Sequence, residues 1–566
     1  ITGGGAKDAT VTATGNVNYL GGKTETKVQS SNLNAGSGAL MVGASDAANV
    51  DTVIATASGA LGAAIGVVTN VITTDHLTGV VVTGTSTDKS SLTGTSVSVD
   101  ADAKEGISSL LIAASGAQYA AVSASVNVNR QLSDVSAAVD QTEVLGSFAQ
   151  NANYLGRITT SAITAAGSQY AAVPISVVIN YADNAVSSSV AHSILRAEGQ
   201  SASVGANRIS EFSSLNVTAS GAMYGAAAGL VNVNTIEGAT SAEVNDSEVK
   251  AGQFSVNAEN EDHLKVTDVT ATGAIGSLGA SVVVSYFKGS SAANLRNSIV
   301  TADKLTVSSL QDHYVNGTVA FASGGIGTIG ANVFSLVIGS RDNPFASNRQ
   351  DLGSAEDTVN KYLSDYASSG TGSLGFITEN DELTQEEKDK IVGSAAAADA
   401  SVSSGSGNGT SVVVSGNYLT VGSSDVSVKE DSKAGSIDVT LGSGSAGAGV
   451  LAASVITLRR HYNNKVNLSG NTITSKDNFN VLNSLEGKTN LEAIQTSLAL
   501  ASGTAAYADA EITGGASTIW DGNVSGGSKL EEPKPDGSKD EGNKAEENKP
   551  QTTNPVFEIK TENKSE

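Results

Sequence analysis

The feature that most constrains the fold of this chain is a repeat with a period of 51 to 57 residues. Each copy holds a glycine in a stretch of small residues, followed by an alternating segment that often ends in asparagine, as in AASGAQYAAVSASVNVN. A unit that recurs at a nearly fixed period is typical of a solenoid, in which each repeat packs only on its neighbours. The copies are centred on Gly59, Gly116, Gly167, Gly221, Gly273 and Gly324, with looser copies near Gly444 and Gly503.

Each repeat also carries the alternation of a β-strand. In the second copy Val122, Ala124, Val126 and Val128 alternate with serine and asparagine. A period of two places one set on the buried face of a strand and the other set on the opposite face. We expect the valines, Val126 among them, to point into the core and Ser125 to point to solvent.

Asparagine and tyrosine recur at equivalent positions of successive repeats. Stacked asparagines hydrogen-bond one another, so we expect amide ladders at the corners of the coils. The tyrosines Tyr119, Tyr170 and Tyr224 lie inside small-residue segments, which favours packing over ligand contact. The ladder residues are Asn127, Asn129, Asn180, Asn232 and Asn234.

The repeats predict an all-β parallel β-helix over residues 1–343, continued over residues 401–527. Only 4% of the residues are aromatic, so the core has to be built from small side chains. Each coil of a parallel β-helix adds about 4.8 Å to its length. If one repeat makes two coils, the rod has about twenty coils and is about 100 Å long.

Residues 344–400 interrupt the repeats and are predicted to form a small helical insertion. Apolar residues between Glu356 and Tyr366 fall at helical spacing, and Thr384 with Glu387 fits a capping box. Because an inserted loop supplies variety on a uniform scaffold, we expect partner recognition here, and its acidic balance favours a basic partner. The residues assigned to partner binding are Val359, Tyr362, Leu363, Tyr366, Glu386 and Glu387.

Residues 528–566 are predicted to be a disordered charged linker. Lysine stands at every fifth position from Lys529 to Lys549, among prolines and acidic residues. A segment of this composition has too little apolar surface to fold. We therefore expect it to act as an extended spacer.

Charge and composition argue against several classes of function. The net charge of −24 and the lack of a basic run disfavour a nucleic-acid partner, because the phosphates would be repelled. No apolar stretch reaches the roughly 20 residues that span a bilayer. The chain has no cysteine, which rules out thiolate catalysis and cysteine-based zinc sites.

Three Asp-His dipeptides are the strongest candidates for a metal site, with the histidines His76, His263 and His313. With two coils to a repeat, equivalent pairs lie about 10 Å apart, which is too far to share one ion. A solvated turn is the simpler interpretation. We therefore assign no metal, no cofactor and no catalytic residue.

The phrase ASGAxxAAxxASVxVN resembles the repeats of large Gram-negative exoproteins, the filamentous-haemagglutinin-like adhesins, and especially the leukotoxin-like filamentous adhesins of fusobacteria and related anaerobes. The similarity covers roughly residues 40–340 and 400–525. It implies a right-handed parallel β-helix that is secreted or displayed on the outer surface of a Gram-negative bacterium. The implied partner is a protein or glycan receptor on a host or bacterial cell, with an outer-membrane transporter during export.

Two other functions stay open. A leukotoxin-like virulence factor acting on host leukocytes fits the same repeats as an adhesin. A β-helical polysaccharide lyase or hydrolase would need a cleft that gathers acidic and basic residues on one strand face.

Overall fold

The computed structural model describes residues 2–339, 409–431, 435–526 and 557–565. Within these ranges the chain consists of strands and their connections, and all 22 strands belong to one sheet with parallel pairing throughout. The predicted all-β parallel β-helix is therefore confirmed. The predicted helical insertion, with its six assigned residues, lies outside the described residues.

The strands of the first half are β1 (Thr2–Ala6), β2 (Ala9–Gln29), β3 (Asn32–Asn34), β4 (Ala39–Ala60), β5 (Ala63–Thr83), β6 (Ser90–Ala117), β7 (Ala120–Gln131), β8 (Asp134–Asp140), β9 (Thr142–Ser168), β10 (Ala171–Asp183) and β11 (Val186–Ala191). Those of the second half are β12 (Ile194–Ala222), β13 (Gly225–Asn245), β14 (Glu248–Gly273), β15 (Gly276–Arg296), β16 (Ile299–Gly324), β17 (Gly327–Ile338), β18 (Gly409–Ser415), β19 (Tyr418–Glu430), β20 (Ser436–Ser475), β21 (Phe479–Gly526) and β22 (Phe557–Ser565).

The register of neighbouring strands makes one repeat equal to one coil. Gly116 pairs with Gly167, and Gly167 pairs with Gly221. Nine residues stack in this column, from Gly5 to Leu498. At about 4.8 Å per rung the stack is about 40 Å long, so the predicted twenty coils and 100 Å are wrong. The reason is strand length, because β6, β9 and β12 contain 28, 27 and 29 residues.

The coil is a flattened loop with two arms. In one coil β6 forms the first arm, Gln118 and Tyr119 make a tight turn, and β7 and β8 form the return arm. The two arms face each other, since the hydroxyl oxygens of Ser115 and Ser123 lie 2.7 Å apart across the interior. Strands before and after residues 340–408 pair directly, so one stack runs through both predicted β-helical segments.

A residue in the left-handed conformation stands at most corners where a return arm joins the next first arm, namely Ser30, Gln141, His192, Asp246, Asn297, Gly416 and Gly470. Asp246 and Asn297 have φ of 45° and 49°, a region that asparagine and aspartate tolerate better than most residues. The next residue on each rung closes the corner. The N–H of Ser247 donates to Ser298 Oγ at 3.2 Å, and the N–H of Ser298 donates to Asn417 Oδ1 at 2.8 Å. Hydrogen bonds between coils therefore hold the corners in register.

The apolar core has two main clusters between the arms. The larger joins the start of the first arm to the last strand of the return arm, as at Val99 and Val139. The second occupies the middle of the later coils and contains buried phenylalanines. Phe321 extends across to the opposite arm, where a Cβ at Gly279 or Gly330 would collide with its ring. These glycines make room for the large side chain that faces them.

The faces of the return arm are the reverse of those predicted. Ser125 and Asn127 are buried, with exposed fractions of 1% and 0%. Val126 and Val128 lie on the outer face and are only half-buried. The prediction that Val126 points inward and Ser125 outward is wrong. The physical reason is that an adjacent coil supplies a polar partner, Ser176 for Ser125 and Asn70 for Asn127, so the burial of these groups carries little penalty.

The predicted linker also differs in part from the structure. Residues 557–565 form β22, which pairs in parallel with β21 beginning at Phe479 and Phe557. These nine residues are therefore a strand and not part of a disordered linker. Residues 527–556 lie outside the described part of the chain, and there the linker stays a prediction.

Candidate functional site

Amide ladders run through the interior between the two arms. Asn129 Nδ2 donates to Asn180 Oδ1 at 3.0 Å, and Asn180 Nδ2 donates to Asn234 Oδ1 at 2.9 Å. In a second ladder Asn16 Nδ2 donates to Asn70 Oδ1 at 2.8 Å, and Asn70 Nδ2 donates to Asn127 Oδ1 at 3.0 Å. The predicted ladders exist, but they lie in the interior and not at the coil corners. Their role is structural, because no solvent-facing side chain takes part.

Ionisable side chains are also buried between the arms. Arg208 and Asp262 have exposed fractions of 0%, and Arg208 Nη2 lies 3.0 Å from Asp262 Oδ1. Arg208 Nε donates to Asn260 Oδ1 at 2.9 Å, and Nη1 donates to the Glu237 carbonyl oxygen at 2.6 Å. The guanidinium therefore bonds to three residues. A buried charge with this many partners holds the arms in one register.

Other buried groups have shifted pKa values, among them Asp268, His313 and Glu430. Burial raises the pKa of Asp268 to about 7 and that of Glu430 to about 7. Burial lowers the pKa of His313, although nearby carboxylates such as Asp262 and Glu430 oppose the effect. His313 Nδ1 lies 3.1 Å from Asp431 Oδ1. All of these groups lie inside the solenoid, so they affect stability and do not form a surface site.

The three Asp-His dipeptides do not form a metal-binding ladder. His76 Nδ1 bonds Asp46 Oδ2 at 2.6 Å, and His313 points inward toward Asp431. His263 points outward, because Asp262, and not His263, is in register with His313. In the described ranges no group of three or more histidine or carboxylate side chains is placed to hold an ion. Those ranges also contain no helix of sufficient length and apolarity to cross a membrane.

The outer face of the first arm carries a strip of charged and aromatic side chains, here called the polar strip. Arg157, Glu211, His263 and Tyr314 stand in register on four successive coils. Arg157 Nε donates to Glu211 Oε2 at 2.7 Å. The rings of His263 and Tyr314 stack with their centroids 4.3 Å apart. The strip therefore places an ion pair next to an aromatic pair.

A groove of about 370 Å³ follows the polar strip and is also lined by Lys265 and Asp438. Burial, with Asp312 and Glu261 nearby, raises the pKa of Tyr314, so its phenol stays protonated at neutral pH. The groove thus offers a hydrogen-bond donor, charges of both signs and an aromatic pair. These are the groups with which proteins bind polar, extended ligands.

The turn between the arms forms an exposed ridge. Tyr119, Tyr170 and Tyr224 stack with centroid separations of 5.3 and 5.2 Å, and about half of each side chain is exposed. The column continues through the exposed Ile275 and Ile326. Because the tyrosine rings cover one another's faces, they present edges and hydroxyls to solvent. This ridge therefore offers no platform on which a sugar ring could stack. The packing that was predicted for the three tyrosines applies to their ring faces, whereas their edges and hydroxyls are exposed.

Sequence reasoning missed the polar strip. Its members lie 54, 52 and 51 residues apart, so each pair occupies one column only if one repeat makes one coil. The repeat spacing itself contained this signal. The residues assigned to partner binding from the sequence, between Val359 and Glu387, lie outside the described part of the chain, and that assignment stays a prediction.

Comparison of the chain with protein-family models, with curated proteins and with solved structures gives no match.

Proposed function

We propose that this chain is a repeat segment of a surface adhesin, secreted or held at the outer surface of a Gram-negative bacterium, that attaches to a receptor on a host or bacterial cell. The observation that carries the proposal is the polar strip. It presents paired charges and stacked aromatic rings along a groove on a rigid, repetitive scaffold.

The scaffold suits attachment for a physical reason. Each coil is bonded to its neighbours along the full length of both arms, so the strip is held at fixed spacing and loses little entropy on binding. The interior is filled by core side chains and ladders. Recognition is therefore confined to outer faces, turns and inserted segments, which is the arrangement of a binding scaffold.

The test measures attachment of the purified full chain to leukocytes, epithelial cells and bacteria. Replacing both strip aromatics, His263→Ala with Tyr314→Ala, should reduce attachment at least tenfold. Tyr224→Ala is the matched control, because it removes an exposed aromatic side chain from the ridge and leaves the strip intact. If the double variant attaches like the parent, the strip is not the recognition site. If the parent attaches to no cell, the adhesin proposal itself is wrong.

Two further measurements test the leukotoxin-like function and the recognition segment predicted from the sequence. Release of cytoplasmic enzyme from leukocytes at the same protein concentrations would favour the leukotoxin-like function over simple attachment. Replacing residues 344–398 by a short Gly/Ser linker tests the recognition segment predicted from the sequence. If this variant stays folded and loses attachment while the strip variant keeps it, recognition belongs to that segment.

A polysaccharide lyase or hydrolase has one observation in its favour, since the strip gathers acidic and basic residues on one strand face. Release of new reducing ends from bacterial or host polysaccharides would reveal such an activity. Glu211→Gln and Arg157→Gln should then abolish it, whereas an adhesin produces no new ends in the parent either.

A further inference from the structure

The outer face of the return arm is aliphatic and free of charge next to the turn between the arms. Four outward columns run through Val122, Ala124, Val126 and Val128 across strands β5, β7, β10, β13, β15, β17 and β20. We call this surface the apolar face. Its 28 positions, four on each of seven strands, hold valine, isoleucine, leucine, alanine, glycine, threonine and serine and no charged residue.

Charge is absent next to the turn on both arms, since the outward columns of the first arm from Leu110 to Gly116 hold no charged residue either. Charged residues make up 16% of the chain, so about four would be expected among 28 positions. Farther from the turn, the outer face of the first arm carries Arg157, Glu211, Lys265 and Asp438. Next to the turn the arms differ in side-chain size, because the first-arm columns through Ala114 and Gly116 hold only alanine and glycine, whereas the apolar face carries valine, isoleucine and leucine. Several of its side chains are well exposed, including Ile175 at 45%, Leu278 at 52% and Leu451 at 57%.

The dimensions of the apolar face match those of a stable protein interface. Seven strands at about 4.8 Å and seven residues at about 3.3 Å give about 34 Å by 23 Å, or about 800 Å². Stable complexes bury about 800 Å² on each partner. Single exposed apolar residues need no explanation, but a contiguous surface of this size marks an interaction site.

We propose that the apolar face is a homodimer interface, on which a second copy of this chain packs sheet against sheet. The charge of the molecule favours this occupant. Each copy carries −24, so two copies repel wherever charged surfaces meet, and the repulsion is least where neither surface holds a charge. An anionic membrane is a poorer occupant, because the face offers no basic side chain to its headgroups.

A two-fold interface also requires a surface that is complementary to itself. The apolar face satisfies this requirement because its columns repeat similar small aliphatic side chains on every rung. Two such sheets pack about 10 Å apart with their side chains interdigitated. The centre of the face lies near Ile175 and Val231, so a two-fold axis through the centre brings these residues close to their counterparts in the partner.

The first test is sedimentation equilibrium of the full chain over a range of concentrations. The parent should be a dimer, and Val231→Glu should weaken dimerisation at least a hundredfold, because two charges would be buried at the centre of the interface. The matched control is Leu215→Glu, which places the same charge on an exposed aliphatic position of the first arm. This control should dimerise like the parent. Circular dichroism and thermal unfolding of both variants verify that the coil is intact.

The second test does not depend on a destabilising charge. The chain contains no cysteine, so a single introduced cysteine reports only contacts between copies. Val231→Cys should form a disulfide-linked dimer under mild oxidation, and Leu215→Cys should stay monomeric on a non-reducing gel.

Three results would overturn the proposal. The parent is monomeric at all concentrations, or Val231→Glu leaves the dimer unchanged, or a monomer binds neutral phosphatidylcholine vesicles through this face. Because none of these measurements uses a cell, they fail or succeed independently of the attachment assay.

Discussion

Replacing one buried aspartate should stabilise the protein by an amount that grows from pH 4 to pH 7 and stays constant at higher pH. Asp268 lies on β14 between the arms with an exposed fraction of 0%. It accepts hydrogen bonds from Asn216 Nδ2 at 2.7 Å and from Asn232 Nδ2 at 3.3 Å. These two amide donors favour the carboxylate, but burial outweighs them and raises the pKa of Asp268 from 3.8 to about 7.

The sign of the pH dependence follows from proton binding. Between pH 4 and 7 the folded protein keeps the proton on Asp268, whereas the unfolded chain has lost it. The stabilisation from this group is therefore complete below about pH 4 and is lost as the pH rises through 7. A rise in pKa from 3.8 to about 7 corresponds to about 4 kcal/mol. Asparagine has nearly the same shape and no proton to lose.

Asp268→Asn should thus have the same free energy of unfolding as the parent near pH 4 and exceed it by about 4 kcal/mol at pH 8. The measurement is urea unfolding followed by circular dichroism from pH 4 to pH 8, read as the difference between variant and parent. Asp262→Asn is the control, because it leaves Arg208 without its carboxylate and should cost about 3 kcal/mol or more. A difference for Asp268→Asn that does not change with pH, or a loss of stability at pH 8, would refute the reasoning.

Three further predictions follow from the geometry of the return arm. Ser125→Asp should lower the free energy of unfolding by about 3 kcal/mol or more, because it buries a charge beside Thr164 and Ser176. Val126→Asp should lower it by under about 1 kcal/mol. Urea unfolding of the dilute monomer measures both. Asn180→Ala should cost about 2 to 3 kcal/mol by the same measurement, because Asn129 and Asn234 would each lose a buried partner, and equal stability would show that water replaces the amide. Tyr170→Ala should lower the thermal midpoint slightly, by the loss of two ring contacts worth about 1 kcal/mol each at most, and an unchanged midpoint would mean that the stack contributes nothing.

The repeat predicted the fold but not the size of the coil. A period of about 52 residues is compatible with two short coils or one wide coil, because both place equivalent residues in one column. Strand length distinguishes them. In β12 buried and outward side chains alternate from Ala202 to Ser220, after an irregularity between Ala197 and Ser201, and this is longer than one side of a narrow coil. The sequence concealed this length, because the buried set includes Arg208, Ser210 and Asn216.

The orientation of the return arm could not be read from the alternation. A period of two separates residues into two sets and does not say which set is buried. The ordinary rule that apolar residues face inward failed at Val126 because the interior here holds amide ladders. The recurrence of asparagine at one position of successive repeats was the available signal. Stacked amides satisfy one another only where the coils are in register, which is most useful in the interior.

The reversed orientation of the return arm and the apolar face on its outer side are physically linked. Interior asparagines are tolerated because neighbouring coils or the facing arm supply partners, as Asn180 does for Asn129 and Ser109 does for Asn127, and the return arm then has its valines and isoleucines on the outer face. Next to the turn, that outer surface carries valine, isoleucine and leucine and no charged residue. A surface of about 800 Å² without charge costs free energy in water at every coil unless it is covered. The polarity reversal of the return arm and the proposed pairing of two copies are therefore one argument, and the cysteine cross-link at Val231 tests both of its steps.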